Sequence, residues 1–434
     1  MLRPYPTGLK SRQLVAQTLR SCLPGSLPYN WDEKLRGLVV DICLARSLVL
    51  QTIAQARFGH VRTRENVLSA FLGNERVDLS GTQAEFIRRA LKRIGRRRLW
   101  RRDGKVVLII DATSYAKARS RGKKKPMPCK GKVRLHNLPG DDTILVPGYQ
   151  EIWIGVLLAD RTVLPLTRRL WTEKGPGGIS MNLVEEVEIR RAVAIVRETF
   201  KLGVILVADS GYRRKALLHW LKASEGVDFV IRLEGKLLVA GGGKGLLANL
   251  SEWWPTRLRI QWREKSKRVL LSDVSARRVS ATTESRERVD FNALRLTPTK
   301  PGGDPMYLAT TLPIDTREDL TLVVRLYSWR WGIETFFWNF KQAFRAETWR
   351  VFSSWKAIDR LLTAAHMAYV ALMLLAALAR RATSGMLKGL MRDLRETLRR
   401  RFARQDEELT FGRFLRLIAM DFQDPHPLRG LKTP

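Results

Sequence analysis

Two aspartates follow runs that read as buried strands. Val106-Val-Leu-Ile-Ile110 leads into Asp111, and Val204-Ile-Leu-Val-Ala208 leads into Asp209. Short, continuous apolar runs rich in β-branched residues suit strands covered on both faces. A carboxylate at the C-terminal end of such a strand is held at the mouth of the sheet, where open α/β sheets take their ligands. If the two strands are neighbours, the acids can share one hard cation such as Mg2+, which favours carboxylate, water and phosphate oxygens. For a single strand-end Asp, capping the next turn is the commoner role. Two on matching runs favour a shared function.

A third group is sharper. Tyr327, Arg330, Glu334 and Lys341 recur at spacings of 3, 4 and 7 in the stretch YSWRWGIETFFWNFK. At roughly 100° per residue they fall within about 60° of one another on a helix. One stripe then carries a phenol, a guanidinium, a carboxylate and an ammonium. That set suits a place where metal and phosphate meet. Glu334 would bind the cation, Arg330 and Lys341 phosphate oxygens, and Tyr327 a phosphate or a displaced base. The alternative is a surface stripe with Arg330 and Glu334 as an i,i+4 ion pair. Spacing alone does not choose between them.

The elements that must position these groups can be read in outline. Residues 1–100 read as a helical, DNA-binding N-terminal region, with apolar positions at helical spacing through Leu35–Ala54 and Phe86–Ile94. Arg96, Arg97, Arg98, Arg101 and Arg102 surround Trp100, as a DNA-contacting hinge or a solvated helix end. Residues 101–233 read as the first part of a catalytic domain. After the 106–110 strand comes a basic loop holding Lys123, Lys124 and Lys125. Strands near 149–159 and 162–169 form a hairpin turning at Asp160-Arg161, and helices cover 181–200 and 213–223. Residues 234–306 read as a β-rich insertion. Its Trp253, Trp254 and Trp262 would stack on a flipped base or form the core of that module. Residues 307–380 resume the catalytic domain with a strand at 307–312 and a helix from about 317 past 340, capped by Asp315 or Thr316. Residues 381–434 read as a helical, basic tail. The expected fold class is α/β: a mixed sheet flanked by helices, with a mostly β insertion and helical N- and C-terminal regions.

Composition points the same way. Lys plus Arg number 78 against 42 Asp plus Glu, a net charge of +36 spread along the whole chain. Nucleic acid is the usual partner for such a charge, since each neutralised phosphate releases counterions. Three scattered cysteines with no CxxC pair argue against a disulfide framework and a structural zinc motif, and fit a reducing cytoplasm. The N-terminal MLRPYPTGLKSRQL has no apolar signal core. Leu361–Ala379 imitates a membrane span, but its alanines and His366 suit a buried core helix better, so no membrane partner is expected. The Gly241-Gly-Gly-Lys-Gly245 cluster is not a phosphate-binding GxxxxGK[ST] loop.

The stripe matches Y-x2-R-x3-E-x6-K, and in this respect the chain resembles the insertion sequence 4 family of DDE transposases. Asp111, then Asp209 with Ser210-Gly-Tyr behind it, then a β insertion before Glu334, fall in the order that family shows. The resemblance covers roughly residues 105–345. It implies an RNase H-like fold, with Asp111, Asp209 and Glu334 as catalytic metal ligands and Tyr327, Arg330 and Lys341 on terminal DNA. It also implies two Mg2+ ions, with Mn2+ able to substitute, acting in cleavage at element ends and strand transfer into target DNA. The implied partners are terminal inverted repeats, target DNA and a second copy of the chain, in a prokaryotic cytoplasm and associated with the nucleoid. A nuclease that cuts without joining, or a non-catalytic DNA-binding descendant, would share much of this pattern. Many relatives have Arg-Gly after the second Asp; Ser210 stands there in this chain, so no charge is expected at that position.

Overall fold

The computed structural model describes residues 16–22, 29–56, 60–74, 76–117, 127–135, 144–240, 244–250, 253–264, 268–299, 303–349, 351 and 354–379. Lys123, Lys124 and Lys125, and the expected 381–434 tail, lie outside the described residues.

At the centre lies β2 (Lys105–Ala116). Residues Val106 to Ile110 are all buried, as an apolar β-branched run demands. On one side β2 pairs parallel with β6 (Gly203–Ala208), which pairs parallel with β7 (Asp228–Leu233). On the other it pairs antiparallel with β4 (Ile144–Leu157), whose further neighbours are β3 (Gly131–Leu135) and β5 (Val163–Trp171). The β4–β5 hairpin turns at Asp160, whose carboxylate accepts the Thr162 amide, with Arg161 in the left-handed region at φ 66°.

The run at 106–110 was expected to end at Asp111, but β2 continues to Ala116. The reason is its antiparallel neighbour. The ladder to β6 stops at Ile109–Val207, whereas the ladder to β4 runs on from Asp111–Trp153 to Ala116–Gly148. Asp111 therefore marks the end of the parallel ladder, not of the strand.

Beyond β7 the sheet passes through β13 (Met306–Thr310), β12 (Arg288–Pro298) and β11 (Arg268–Thr282). β10 (Trp254–Glu264) and the short β8 (Leu238–Ala240) pair with β11, and β9 (Lys244–Leu246) with β8. With β1 (Arg101–Arg102) on β2, the described strands make one 13-stranded mixed sheet. The β-rich 234–306 stretch is thus continuous with the central sheet through β12 and β13. This mixed α/β arrangement is consistent with an RNase H-like fold.

Helices α1 (16–22), α2 (Tyr29–Ala45), α3 (Leu50–Gln55), α4 (Val61–Gly73) and α5 (Leu79–Ile94) form the N-terminal region. α6 (Met181–Phe200) starts on Ser180, whose hydroxyl accepts the Leu183 amide, and covers β4, β5 and β6. α7 (Lys215–Ala223) packs on β7 and β12. The helix expected from 317 past 340 is two: α8 (Arg317–Trp329) and α9 (Trp331–Phe344), meeting at Arg330. Thr316, not Asp315, caps α8, in a reciprocal capping box with Asp319. The Ile333 amide reaches back only three residues to the Arg330 carbonyl, a tightened turn that keeps the helical path. Gly332 sits there against the β4–β5 turn. A methyl group at that position would stand 2.8 Å from Val163 Cγ2 and 3.2 Å from the Arg161 carbonyl, so only glycine lets α9 approach so closely.

α10 (Trp355–Ala379) is the apolar stretch that imitates a membrane span. It is long and apolar enough to cross a membrane, yet 89% of its apolar window is buried inside the protein. It packs on α2, α4, α5 and β5. Its polar groups are matched. Arg360 donates to the carbonyls of Leu72 (2.6 Å) and Val77 (3.0 Å). The His366 ring, fully buried, lies between the Gln83 amide and the Pro165 carbonyl. Arg168 on β5 reaches Asp359 Oδ1 (2.8 Å) and Thr363 Oγ1 (2.9 Å) while bonding Glu151 on β4. Glu151, with no exposure, also accepts from Tyr115 (2.6 Å) and Trp153 (2.8 Å).

Candidate active site

The parallel pairing of β2 with β6 decides the first relationship. Ile109 is opposite Val207, so two residues further on Asp111 and Asp209 face the same end of adjacent strands. Each carboxylate accepts the next residue's amide: Asp111 Oδ1 from Ala112 at 2.8 Å, Asp209 Oδ1 from Ser210 at 2.7 Å. The capping role is therefore present at Asp209, which opens the Ser210–Tyr212 turn, and it leaves the second oxygen of each acid free for another partner.

That partner is the stripe on α8 and α9. Arg330 lies 2.8 Å from Asp111 Oδ2, 3.2 Å from Glu334 Oε1 and 3.8 Å from Asp209 Oδ2. Its side chain is only 2% exposed. The Arg330–Glu334 pair exists, but it is not a surface pair. The Tyr327 hydroxyl donates to Asp209 Oδ1 at 3.3 Å, and its ring and that of Trp331 flank the guanidinium at 5.8 and 4.7 Å. Lys341 is one step away: its ammonium donates to the Ser114 carbonyl at 3.1 Å and pairs with Glu347 at 3.0 Å. The structure brings Asp111, Asp209, Tyr327, Arg330 and Glu334 into one cluster, with Lys341 along β2 from it.

Electrostatics follow from the crowding. Burial pushes the Asp111 carboxyl up to about 6, with Asp209 adding and Arg330 opposing. Burial pushes Glu334 up to about 7, with Arg330 opposing and Asp111 adding. Burial and then Asp209 raise the Tyr327 phenol to about 12, so it stays a hydrogen-bond donor. Burial works against the Arg330 charge, but the surrounding carboxylates outweigh it and hold the guanidinium charged. Grouped acids that resist ionising together are what a cation relieves. The donor set, three carboxylates, fits a hard divalent ion in chemistry. In this structure the guanidinium supplies the compensating charge. Among the described residues no three His, Cys, Asp or Glu side chains stand ready to hold a metal together.

The other expected residues are placed as follows. Arg96, Arg97 and Arg98 are exposed on a turn after α5. Trp100 beside them meets Trp329 of α8 edge-on at 5.6 Å, which ties this basic turn to the helix carrying Tyr327. Trp254 is 55% exposed on β10. Trp253 is buried against Tyr307 (5.9 Å) under Arg295, and Trp262 is buried with its indole donating to Ser272. Both pack among strand residues. A cleft of about 1060 Å³ runs between β10 and the α8–α9 seam, lined among others by Arg161, Trp262, Arg325, Trp329, Trp331 and Glu334. Indole faces and guanidinium groups along a cleft suit bases and phosphates of an unpaired strand.

Sequence reading missed Arg232. On β7 it is the residue after Ile231, which pairs with Ala208, so it stands beside Asp209, and its charge acts on the Tyr327 phenol. The rule that found the two aspartates, reading the residue just past a buried strand run, would have found it after Phe229-Val-Ile231. Lys117 was also missed. Its ammonium donates to the Glu347 carbonyl at 2.7 Å and lies 3.9 Å over the Trp349 ring.

Residues 186–371 match a family model described as a transposase DDE domain. The match takes in Asp209, Tyr327, Arg330, Glu334 and Lys341 and leaves Asp111 outside it. A search of curated proteins found no match to the chain.

Proposed function

We propose that this chain, whose residues 186–371 match a transposase DDE domain, is a DNA transposase of an insertion sequence. It cleaves DNA at element ends and joins them to a target by cut and paste. The observation that carries the reading is the convergence of Asp111, Asp209 and Glu334 on one cationic centre at the end of a parallel ladder.

Asp111, Asp209 and Glu334 would hold two Mg2+ ions, or Mn2+ in their place. Bound there, such ions activate water or a 3′-hydroxyl and stabilise the leaving oxygen of an in-line displacement. The chain's own groups do the rest. The backbone amides of Ala112 and Ser210 fix the rotation of the two aspartates, and Tyr327 orients Asp209 through its phenol proton. Arg330 and Lys341, on one helical face, neutralise and orient phosphates next to the reacting one. Trp254, with Trp329 and Trp331 of the cleft, would hold a displaced base. Joining needs no ATP, because one phosphodiester replaces another. The net charge of +36 supports a long DNA track, and two element ends call for two copies of the chain.

The test is incubation of the full chain with Mg2+ and duplexes bearing candidate terminal repeats. Strand-transfer products that disappear in Asp111→Asn, Asp209→Asn and Glu334→Gln support the reading. Cleavage without joining at any repeat would make the chain a nuclease instead.

A further inference from the structure

The position of Arg330 has a chemical cost. Its guanidinium stands among all three carboxylates, so a metal ion cannot share their facing oxygens while it is there. It is nearly buried, yet its Nε has no hydrogen-bond partner. A buried donor left over costs free energy, a cost that a further acceptor would remove. The leftover donor marks a fork one acceptor short. Phosphate oxygens, with paired lone pairs in a plane, are what such a fork takes up. The seam between α8 and α9 falls at Arg330 itself, so its backbone lies at a junction of two helices.

We propose that Arg330 is an internal counter-cation that holds the three carboxylates together and closed to metal until a DNA phosphate draws the guanidinium out. Divalent metal then loads after DNA, not before. The proposal rests on the reading of Asp111, Asp209 and Glu334 as metal ligands. It gives that site an order of binding. A free chain carries no loaded hydrolytic centre, and the charge that leaves the carboxylates arrives on the phosphate beside them.

The experiment is a titration of Mn2+ into the full-length chain, followed by the loss of the free-ion paramagnetic resonance signal. It uses wild type, Arg330→Gln, Arg330→Lys, Asp111→Asn and the Arg330→Gln/Asp111→Asn double variant, each with and without a duplex carrying candidate ends. Without DNA, Arg330→Gln should bind Mn2+ about tenfold or more tighter than wild type, the size of an ordinary coupling between sites. Adding Asp111→Asn to it should remove that gain. With DNA, wild type should rise towards the variant, and the variant should change less. If Arg330→Gln binds no tighter while Asp111→Asn abolishes Mn2+ binding in both backgrounds, the gate is overturned and the ligand assignment stands. If no Mn2+ binding in any background depends on Asp111, the ligand assignment falls and takes the gate with it. If Arg330→Gln does not fold, Arg330→Lys decides. An ammonium cannot span three carboxylates, so several-fold tighter Mn2+ supports the gate and unchanged affinity overturns it.

Discussion

Asp111 and Asp209 stand side by side at the same end of two parallel strands, two residues beyond the last paired positions, Ile109 and Val207. This register puts a side chain from each strand on one rim without any long-range coincidence of loops. Neutral isosteres at either position, or Glu334→Gln, should lower Mg2+-dependent cleavage on the order of 10³-fold. Near-UV circular dichroism should stay that of the wild type. Cleavage retained by any of the three variants removes that residue from the site.

The exposed Arg96, Arg97 and Arg98 turn offers a cleaner test of DNA contact than overall charge does. Each phosphate contact contributes about 0.9 to the slope of log affinity against log salt. Replacing all three by Gln should flatten that slope by up to about 3 units on the same principle. A slope equal to that of the wild type would show the turn to be merely solvated.

The tryptophans of the β-rich stretch divide by burial. Trp262→Ala should destabilise the protein by about 3–5 kcal/mol, because it empties a packed position. Trp254→Ala should leave stability within about 0.5 kcal/mol. It should weaken binding to single-stranded or end-frayed DNA by about 1–3 kcal/mol, the worth of one base stacked on an aromatic ring. The opposite pattern, a stable Trp262→Ala and an unstable Trp254→Ala, would refute this division.

Glu151 and Arg168 form a fully buried ion pair joined to Asp359 of α10. Removing one partner strands the other charge, so Arg168→Met should cost about 3–5 kcal/mol in denaturant unfolding. A loss below about 1 kcal/mol would mean that water reaches Glu151.

His366 makes the fold sensitive to acid. Burial holds its ring down at about 3, below the usual value near 6.5, with the Pro165 carbonyl opposing and Arg168 adding. Between these values the unfolded chain binds the proton and the folded one does not, so stability falls as pH drops through that window and is unaffected above it. From pH 6.5 to 5 this group should cost about 2 kcal/mol. Arg-rich surface effects aside, His366→Gln should lose less stability over that interval than the wild type. Parallel losses in the two proteins would show that some other group titrates.

Much of the site was legible because strands and helices have short periods. The two apolar runs located Asp111 and Asp209, and a 3.6-residue repeat put Tyr327, Arg330 and Glu334 on one face. Where a strand stops was not legible, since that depends on its neighbours: β4 carries β2 past Asp111, and nothing in Thr113 or Tyr115 announces it. Burial was not legible either. Spacing showed that Arg330 could meet Glu334, but only the packing of α8 and α9 against β2 and β6 encloses it among three acids. Trp262 sits in an alternating strand, yet which face is inner is set partly by α8, far along the chain. Glu151 and Arg168 read as ordinary strand charges until α10 is laid over them.

That overlay has a wider effect. α10 touches α2, α4 and α5 on one side and β5 on the other, and its arginine and histidine are pinned to both. The N-terminal helices are also held by α6, through Arg191 to the Ser80 carbonyl and Arg88 to Glu198, but α10 is the element that touches most of them and the sheet together. A change that unseats this helix would therefore loosen both regions at once.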